Sequence, residues 1–290
     1  MAINSGNAQR QVAHNRRVHD RVARWYPMLH PEIYNCTEQL RLRGMLQNAV
    51  GAIRPATAAP MALDVGAGRG NLTNHLLAIG CRVTAADVSQ VFLHGLLDDF
   101  LPFRDRLEVS LLNGRDLSQF GDGSFDLAAC YSVLHHVPDY LELVREMRRV
   151  VRAGGVVMID HEYSPSMWDH RPAYQEYRRQ LADRYRTGLP LSTILSLPLG
   201  AWPYFLRRRV AALIGKMKDP RYYPEGDIHI HHDDHIDWES VVEALCGDDR
   251  AEVVWNESYL GCEELGYPAP VYERSKNQID NLSGLIVRVR

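Results

Sequence analysis

The sequence has few cysteines and little net charge, and these scarcities exclude several classes of protein. Its five cysteines are odd in number, are scattered along the chain and form no Cys-x-x-Cys pair. This pattern argues against a disulfide framework and against a cysteine-ligated zinc site, and it is typical of a reducing cytoplasm. The net charge is −3, so no overall field attracts the chain to nucleic acid or to an anionic membrane.

Long hydrophobic runs are also missing. The least polar window, residues 189–206, contains three prolines and lacks the uninterrupted run of about 20 apolar residues that a spanning helix needs. Residues 1–17 are polar and carry no apolar segment of the kind that a secretory signal requires. We therefore expect a cytoplasmic protein without a membrane partner.

The order of apolar runs and helical patterns predicts an α/β fold. Between residues 61 and 159, short apolar runs alternate with amphipathic stretches, as in βαβ units of a parallel sheet that is covered on both faces. Residues 164–226 interrupt this rhythm with aromatic residues, arginine and proline, and the alternation then resumes. We expect four parts: N-terminal helices at 1–55, a core at 56–163, a cap insertion at 164–226, and residues 227–290, which complete the core.

The strongest motif is a glycine-rich turn after the first predicted strand. Asp64 lies in that strand near its end, and Gly66, Gly68 and Gly70 follow at alternate positions before a predicted helix. Glycines in such a turn adopt positive φ without penalty and let a ligand approach the backbone closely. The dinucleotide fingerprint would need its third glycine at Asn71, so the motif does not indicate a dinucleotide cofactor.

Two carboxylates narrow the choice of cofactor. The second predicted strand ends at Asp87, where a carboxylate accepts hydrogen bonds from the hydroxyls of a ribose. Asp64 places another acid beside the glycine turn, where it would repel a pyrophosphate but suit an ammonium or sulfonium group. The pair therefore indicates a nucleoside cofactor that carries positive charge, bound at the carboxyl ends of the strands.

These residues belong to a longer series of motifs. The segments LDVGAGRGNLT, TAADVS, NGRDLSQFGDGSFDLAACYSVLHHVPD and VREMRRVVRAGGVVMID resemble, in order and spacing, the motifs of class I S-adenosylmethionine-dependent methyltransferases. Among these enzymes they resemble the small-molecule group that includes the quinone-biosynthesis C-methyltransferases. The resemblance implies a Rossmann-like, doubly wound, mostly parallel seven-stranded sheet, with an N-terminal helical lid over the cofactor and a helical cap insertion.

The resemblance also implies roles for individual residues. The glycine turn, with Asp64, Gly66, Ala67 and Gly68, would hold the methionine part of S-adenosylmethionine. Asp87 and Val88, at the end of the second strand, would bind its ribose and adenine, and Asn113, Gly114 and Arg115, at the end of the third strand, would contact the adenine edge. Tyr131 and Ser132, at the end of the fourth strand, would lie beside the reacting methyl. Asn113 stands where the family often has Asp, so this contact is expected in an altered form. Tyr26, in the N-terminal helices, would fold over the cofactor.

Two segments with histidines are candidates for the chemistry. In VLHHVPD, the resemblance implies that one histidine faces the active site, and we assign His136 to that role.

Residues 227–238 hold four histidines and four aspartates and leave three interpretations open. In the first, Asp237 caps the next helix and the other polar residues are solvated. In the second, a histidine lines the substrate pocket as a general base or hydrogen-bond partner. In the third, the cluster binds a divalent metal ion. We expect His231, on the same strand face as His229, to be catalytic, and we assign no metal ligand.

The expected function is transfer of a methyl group from S-adenosylmethionine to an O, N or C nucleophile of a small molecule, with secondary metabolites among the candidates and S-adenosylhomocysteine as product. Two alternatives stay open: use of the cofactor for a non-methylating reaction, and a cofactor-binding module without turnover. Nucleic acid is not expected as a partner, because the fourth strand ends in Cys-Tyr-Ser-Val instead of an Asn-Pro-Pro-aromatic motif. A homodimer is compatible with the sequence.

Overall fold

A seven-stranded sheet forms the centre of the structure. The computed structural model describes residues 5–168, 172–186, 217, 223, 226–262 and 270–290. The strands are, in chain order, β1 (Met61–Val65), β2 (Arg82–Asp87), β3 (Leu107–Leu111), β4 (Phe125–Tyr131), β5 (Val151–Tyr163), β6 (Ile230–His231), β7 (Asp234–His235), β8 (Ala251–Tyr259) and β9 (Leu282–Val289). Strands β6 and β7 pair only with each other, in a short ribbon outside the main sheet.

The strand order across the main sheet is β3-β2-β1-β4-β5-β9-β8. Strands β1 to β5 pair in parallel, whereas β9 pairs antiparallel with both β5 and β8. The chain winds outward from β1 to β3 and then returns to β4 on the other side of β1. This switch point is where open α/β sheets bind ligands, at the carboxyl ends of the strands. The predicted α/β fold with a mostly parallel seven-stranded sheet is confirmed.

Helices cover both faces of the sheet. They are, in chain order, α1 (Ser5–Val22), α2 (Tyr26–Leu29), α3 (Pro31–Tyr34), α4 (Cys36–Ala52), α5 (Asn71–Ile79), α6 (Gln90–Asp99), α7 (Tyr140–Val150), α8 (Pro172–Arg186), α9 (Trp238–Cys246) and α10 (Pro270–Ser275). Successive strand residues point to opposite faces, so Ala62 packs in the apolar cluster under α4 and α5, while Leu63 packs in the cluster under α7 and α9. Among the described helices, none combines the length and the apolar character needed to cross a membrane.

Side-chain caps set where several helices begin. Ser89 Oγ accepts a hydrogen bond from the Phe92 N–H at 3.0 Å at the start of α6. At the start of α9, Asp237 Oδ1 accepts hydrogen bonds from the N–H groups of Glu239 and Ser240 at 3.1 and 3.3 Å. Such caps satisfy backbone donors that the first helical turn leaves unpaired. The helix cap expected at Asp237 is therefore confirmed.

The predicted cap insertion at 164–226 is described only in part, and most of it lies outside the described residues. Its helix α8 contributes Tyr174, Tyr177 and Leu181 to a third, smaller apolar cluster. The other members of this cluster come from the C-terminal part of the chain and are Leu260, Cys262, Val271, Tyr272 and Ile279. The described helix of the insertion thus packs against residues that follow it by about a hundred positions. The division of the chain into four parts stays a prediction.

Candidate active site

A first cavity opens at the carboxyl ends of β1, β2 and β4. Of the residues predicted to bind the cofactor or the substrate, those that line it are Tyr26, Gly66, Gly68, Asp87, Val88, Gly114, Arg115, Ser132 and His136. Val12, Asn15 and His19 of α1 line it as well, although no sequence motif indicated them. The cavity therefore brings together the ends of several strands and the N-terminal helix.

The glycine turn forms the floor of the first cavity. Gly66 and Gly68 have φ values of +72° and +50°, in the left-handed region that favours glycine. The N–H groups of Gly66 and Ala67 donate to the Ala86 carbonyl at 2.8 and 3.0 Å, which fixes the turn against β2. A Cβ on Gly66 would lie 2.5 Å from Val133 Cγ2. A side chain there would close the space between the turn and the loop after β4.

Asp87 joins the glycine turn to the end of β2. Its Oδ2 accepts a hydrogen bond from the Gly68 N–H at 2.9 Å, and its Oδ1 accepts one from the Ser89 N–H at 2.8 Å. Burial raises the pKa of Asp87 to about 6, although these backbone donors oppose the shift. A carboxylate oxygen accepts more than one hydrogen bond, so each oxygen keeps capacity for a hydroxyl group in the cavity.

Asp64 lies beneath the turn and is not part of the first cavity's lining. It is 1 % exposed, and its Oδ2 accepts a hydrogen bond from the Thr73 hydroxyl at 2.6 Å. Burial raises the pKa of Asp64 to about 7, against the opposing effect of the Thr73 hydrogen bonds. The side chain therefore ties β1 to α5, and its predicted contact with the methionine part stays a prediction.

Three other predicted cofactor residues also lie outside this lining. Ala67 is buried in the apolar cluster under α4 and α5. Asn113 Oδ1 accepts hydrogen bonds from the N–H groups of Arg115 and Asp116 at 2.7 and 3.1 Å, which shapes the turn that presents Gly114 and Arg115. The Tyr131 hydroxyl donates to Glu38 Oε1 at 2.8 Å, so its side chain points away from the cavity toward α4. Their roles as cofactor contacts stay predictions.

Helix α1 covers the first cavity through specific contacts. The Asn15 side-chain amide donates to the His136 carbonyl at 2.8 Å, and the Gln11 amide donates to the Gly226 carbonyl at 2.8 Å. A Cβ on Gly114 would lie 2.4 Å from Val12 Cγ1, so the helix approaches this turn closely. These contacts place the N-terminal helix where the resemblance predicted a lid.

A second cavity adjoins the first and shares His19, Tyr26, Ser132 and His136 with it. Its remaining lining is rich in groups that donate and accept hydrogen bonds. These polar residues are His30, Glu32, His135, His161, Tyr163, Tyr223 and Asp227. A molecule bound in the second cavity would therefore meet a ligand of the first cavity at a common wall.

Glu162 holds the loop after β4 in place. Its Oε1 accepts hydrogen bonds from the N–H groups of Val133 and Leu134 at 2.8 and 2.7 Å, and its Oε2 lies 2.7 Å from Nδ1 of His135. Glu162 is 1 % exposed. Burial lowers the pKa of His135, but the charge of Glu162 and its hydrogen bond outweigh burial and raise that pKa to about 9. The loop is thus organised by a buried carboxylate at the end of β5.

His136 lies at the boundary between the two cavities. Its ring centroid is 4.2 Å from that of His135 and 5.0 Å from that of His19. Its Nδ1 lies 3.2 Å from Oδ1 of Asp227. Burial, followed by the charges of His135 and His19, lowers the pKa of His136 well below its ordinary value. The ring is therefore neutral near neutral pH and presents a lone pair.

The ribbon of β6 and β7 turns His231 away from the second cavity. Ile230 lines that cavity, whereas His231 pairs with Asp234 in the ribbon. His229 is buried, and its ring lies within hydrogen-bond distance of Asp234 Oδ1 and of the Val137 carbonyl. Alternate residues of a strand face opposite sides, so within β6 His231 lies on the face opposite Ile230, whereas His229 precedes the strand. The catalytic role of His231 stays a prediction that the described geometry does not support.

A buried network of charged groups lies next to the second cavity. Arg41 Nη2 donates to Glu38 Oε1 at 2.5 Å and to Asp160 Oδ2 at 2.7 Å. Asp160 Oδ1 also accepts from the His161 N–H at 2.9 Å, and the Asp160 carbonyl accepts from the Ser132 N–H at 3.0 Å. Burial raises the pKa of Asp160 against the opposing charge of Arg41. Helix α4 is thereby linked to the ends of β4 and β5.

Several residues that line the two cavities were not predicted from the sequence. His19, Glu32 and Asn15 lie in helices with no motif. Asp-His-Glu at 160–162 did carry a signal, since three polar residues extend an apolar strand at its carboxyl end, where ligands bind.

Comparison with known proteins identifies the central part of the chain. Residues 63–159 match a protein-family model described as a methyltransferase domain. These residues are a Rossmann-like methyltransferase domain. They include the glycine turn, Asp87 and β4, together with the loop that carries His135 and His136. The motifs that carried the resemblance thus lie largely within the matched region.

Two relatives and one solved structure are similar to this chain. The chain is 30% identical over 108 residues to a ubiquinone biosynthesis O-methyltransferase of Xanthomonas campestris, a match that covers 37% of this chain and 45% of the relative. It is 41% identical over 71 residues to a demethylmenaquinone methyltransferase of Bacillus velezensis, covering 24% and 30% of the two chains. The chain thus spans less than half the length of these relatives. A solved complex that contains the Haloferax volcanii Trm112 methyltransferase activator has a chain of the same fold, with TM-score 0.54, 16% identity, and coverage of 93% of this chain and 96% of that chain.

Proposed function

We propose that the chain binds S-adenosylmethionine in the first cavity and transfers its methyl group to a small molecule in the second. The observation that carries this proposal is the common wall, where Ser132 and His136 line both cavities. Methyl transfer by in-line displacement requires donor and acceptor to meet at one boundary in a fixed orientation. Two adjoining cavities at the switch point of a methyltransferase domain provide such a boundary.

The residues of the first cavity fit this cofactor. Asp87 has acceptor capacity for the ribose hydroxyls, and Val88 beside it would pack on the adenine. The missing Cβ at Gly66 lets Val133 pack directly against the glycine turn, and both residues line the cavity where the methionine part would bind. Tyr26 would cover the cofactor together with α1. S-adenosylmethionine supplies, when bound, a methyl group that its cationic sulfur already activates.

The protein's part is therefore to position the acceptor and to assist loss of its proton. We assign to His136 the role of the base that accepts the nucleophile's proton, because its neutral ring lies at the wall between the two cavities. The other histidines of the second cavity, together with Glu32 and Asp227, favour an acceptor that forms several hydrogen bonds. We infer an oxygen nucleophile, as a hydroxyl group on a small molecule, and the name of the Xanthomonas relative supports this choice.

The test begins with cofactor binding. We expect the full chain to bind S-adenosylhomocysteine in calorimetry, and to transfer labelled methyl from S-adenosylmethionine to one or more members of a panel of phenols, catechols and hydroxylated quinols. His136→Ala should lower turnover with little change in S-adenosylhomocysteine affinity. His232→Ala, an exposed histidine, is the matched control and should leave both unchanged. Failure to bind S-adenosylhomocysteine would contradict the proposal, and consumption of the cofactor without label in any acceptor would indicate a non-methylating reaction.

A further inference from the structure

The second cavity contains a set of metal-ligating groups. One ring nitrogen each of His135 and His136 and one carboxylate oxygen of Asp227 lie within 4.8 Å of one another. All three residues line the cavity. Nitrogen and oxygen ligands of a tetrahedral zinc ion, each about 2.0–2.2 Å from the metal, lie about 3.4 Å apart. Small side-chain movements would therefore bring the three groups onto a single ion.

His136 lacks a hydrogen bond at the atom that faces this cluster. Its Nδ1 is buried and makes no hydrogen bond within the described part of the chain, although Oδ1 of Asp227 lies only 3.2 Å away. A buried polar atom without a partner costs free energy, so such an atom calls for an explanation. A cation bound between the imidazole and the carboxylate would accept the electron pair of Nδ1 and so satisfy this atom.

His135 is oriented by a second carboxylate. Its Nδ1 bonds with Oε2 of Glu162, and the Glu162 carboxylate is itself fixed by the N–H groups of Val133 and Leu134. The other ring nitrogen, Nε2, is left for a ligand. Metal-binding histidines characteristically donate their second ring N–H to a carboxylate in this way. A metal ion displaces any proton from Nε2 as it binds.

We propose that His135, His136 and Asp227 bind one divalent first-row metal ion, with Glu162 as the residue that positions His135. Two imidazoles and one carboxylate suit Zn²⁺ and Co²⁺, and three protein ligands leave a coordination position open toward the cavity. The consequence for catalysis rests on the proposed function. With the metal bound, His136 acts as its ligand instead of as a free base: a substrate hydroxyl at the open position loses its proton to solvent, because the metal lowers the pKa of that hydroxyl. The oxygen then forms a bond to the methyl carbon, and the sulfur keeps the electron pair of the broken C–S bond.

The experiment measures metal binding directly, without turnover. Full-length protein treated with a chelator is titrated with Co²⁺ and followed by its visible absorption, and Zn²⁺ is then added in competition. We expect one equivalent to bind. His135→Ala and Asp227→Asn should each lower the affinity at least tenfold. His232→Ala changes an exposed histidine in the same segment as Asp227 and should not alter the affinity, which controls for binding to the histidine-rich segment itself.

Glu162→Gln tests the positioning role. The amide keeps one oxygen to accept the backbone N–H groups of Val133 and Leu134, but it presents an NH₂ group to His135 Nδ1. The proton of the neutral ring then moves to Nε2, which can no longer bind a metal. Loss of such a partner lowers metal affinity by about 10- to 100-fold.

The outcomes are distinct. Absence of a bound ion in the wild type, equal affinity in all variants, or loss of binding in His232→Ala alone would overturn the metal site. S-adenosylhomocysteine calorimetry on each variant checks that it is folded. A metal site in a chain that does not bind S-adenosylhomocysteine would contradict the proposed function but not this inference. A chain that binds S-adenosylhomocysteine but no metal ion would contradict this inference but not the proposed function.

Discussion

Replacement of Asp87 by asparagine tests the cofactor side of the site. Both carboxylate oxygens already accept a backbone N–H, from Gly68 at 2.9 Å and from Ser89 at 2.8 Å. An asparagine keeps one acceptor oxygen, but its NH₂ group faces the other backbone donor. The variant therefore loses the charged acceptor for the ribose and also strains the glycine turn.

The expected loss follows from the hydrogen bond that is removed. A hydrogen bond to a charged group contributes about 1.5–3 kcal/mol, which corresponds to a loss of about 10- to 150-fold in the affinity for S-adenosylhomocysteine. Calorimetry measures this affinity, and a thermal unfolding curve shows how much of the loss comes from the strained turn. Asp126→Asn is a control, since Asp126 contacts the Met61 N–H at the opposite ends of the strands.

The affinity should also depend on pH with a defined sign. Burial raises the pKa of Asp87 to about 6, and a ribose hydroxyl donates to the ionised form. Affinity should therefore be constant well above pH 6 and fall as the pH drops below about 6, by at most about tenfold per pH unit. For stability the sign is opposite: the buried charge destabilises the ligand-free fold above pH 6, and protonation relieves this cost as the pH falls.

Two comparisons would refute this reasoning. Asp87→Asn should lack the loss of affinity below pH 6, whereas Asp64→Asn should keep it, since Asp64 lies beneath the turn and is not part of the cavity's lining. An Asp87→Asn variant that binds as tightly as the wild type near neutral pH, together with a flat wild-type profile, would show that Asp87 does not hold the ribose.

Two further predictions concern the turn and the helix that covers it. Gly66→Ala forces a left-handed φ of +72° on a residue with a Cβ, which costs about 1–3 kcal/mol, so urea unfolding and S-adenosylhomocysteine calorimetry should both show a loss. Gly51→Ala, in a helix where a Cβ meets nothing within 4 Å, is its control and should not destabilise. Asn15→Ala removes the 2.8 Å bond to the His136 carbonyl, and it should weaken S-adenosylhomocysteine binding several-fold while unfolding in urea changes by about 1 kcal/mol. An unchanged affinity would show that α1 does not close the cavity.

The sequence predicted the parts of the site that depend on local chemistry. The glycine turn and Asp87 are recognisable because three glycines and a strand-ending acid must occur at fixed spacing to bring the backbone close to a nucleoside. The N-cap at Asp237 was predictable for a similar reason, since it involves only residues two and three positions away.

The choice of histidine was not predictable in the same way. Strand alternation predicted that His229 and His231 share one face, but it could not tell which face of the ribbon meets the cavity. That face is set by long-range bonds, because the N–H groups of Ile228 and His229 both donate to the His135 carbonyl at 2.9 and 3.2 Å. These bonds turn Ile230 inward, and Asp227 lines the same cavity.

The ends of β4 and β5 show how the structure supports the common wall of the two cavities. Ser132 follows β4, and His161 lies near the end of β5. Both residues have positive φ values, +59° and +64°, and both line the second cavity. Non-glycine residues in this region store strain that the surroundings must offset. Asp160 does so, since its carbonyl accepts the Ser132 N–H and its Oδ1 accepts the His161 N–H.

Arg41 is the residue that keeps Asp160 in place, and its removal is the decisive test of that support. Arg41→Met leaves two buried carboxylates, on Glu38 and Asp160, without their cation. We expect the free energy of unfolding in urea to fall by about 3–5 kcal/mol, because removal of one partner strands a buried charge. Arg145→Met breaks an ion pair whose two side chains are about half exposed, and it should cost about 1 kcal/mol or less. Turnover in Arg41→Met should fall more than S-adenosylhomocysteine affinity. The reason is that Ser132 and His161, whose backbone Asp160 holds in place, line the second cavity. Equal costs in the two variants would mean that the network does not support the site.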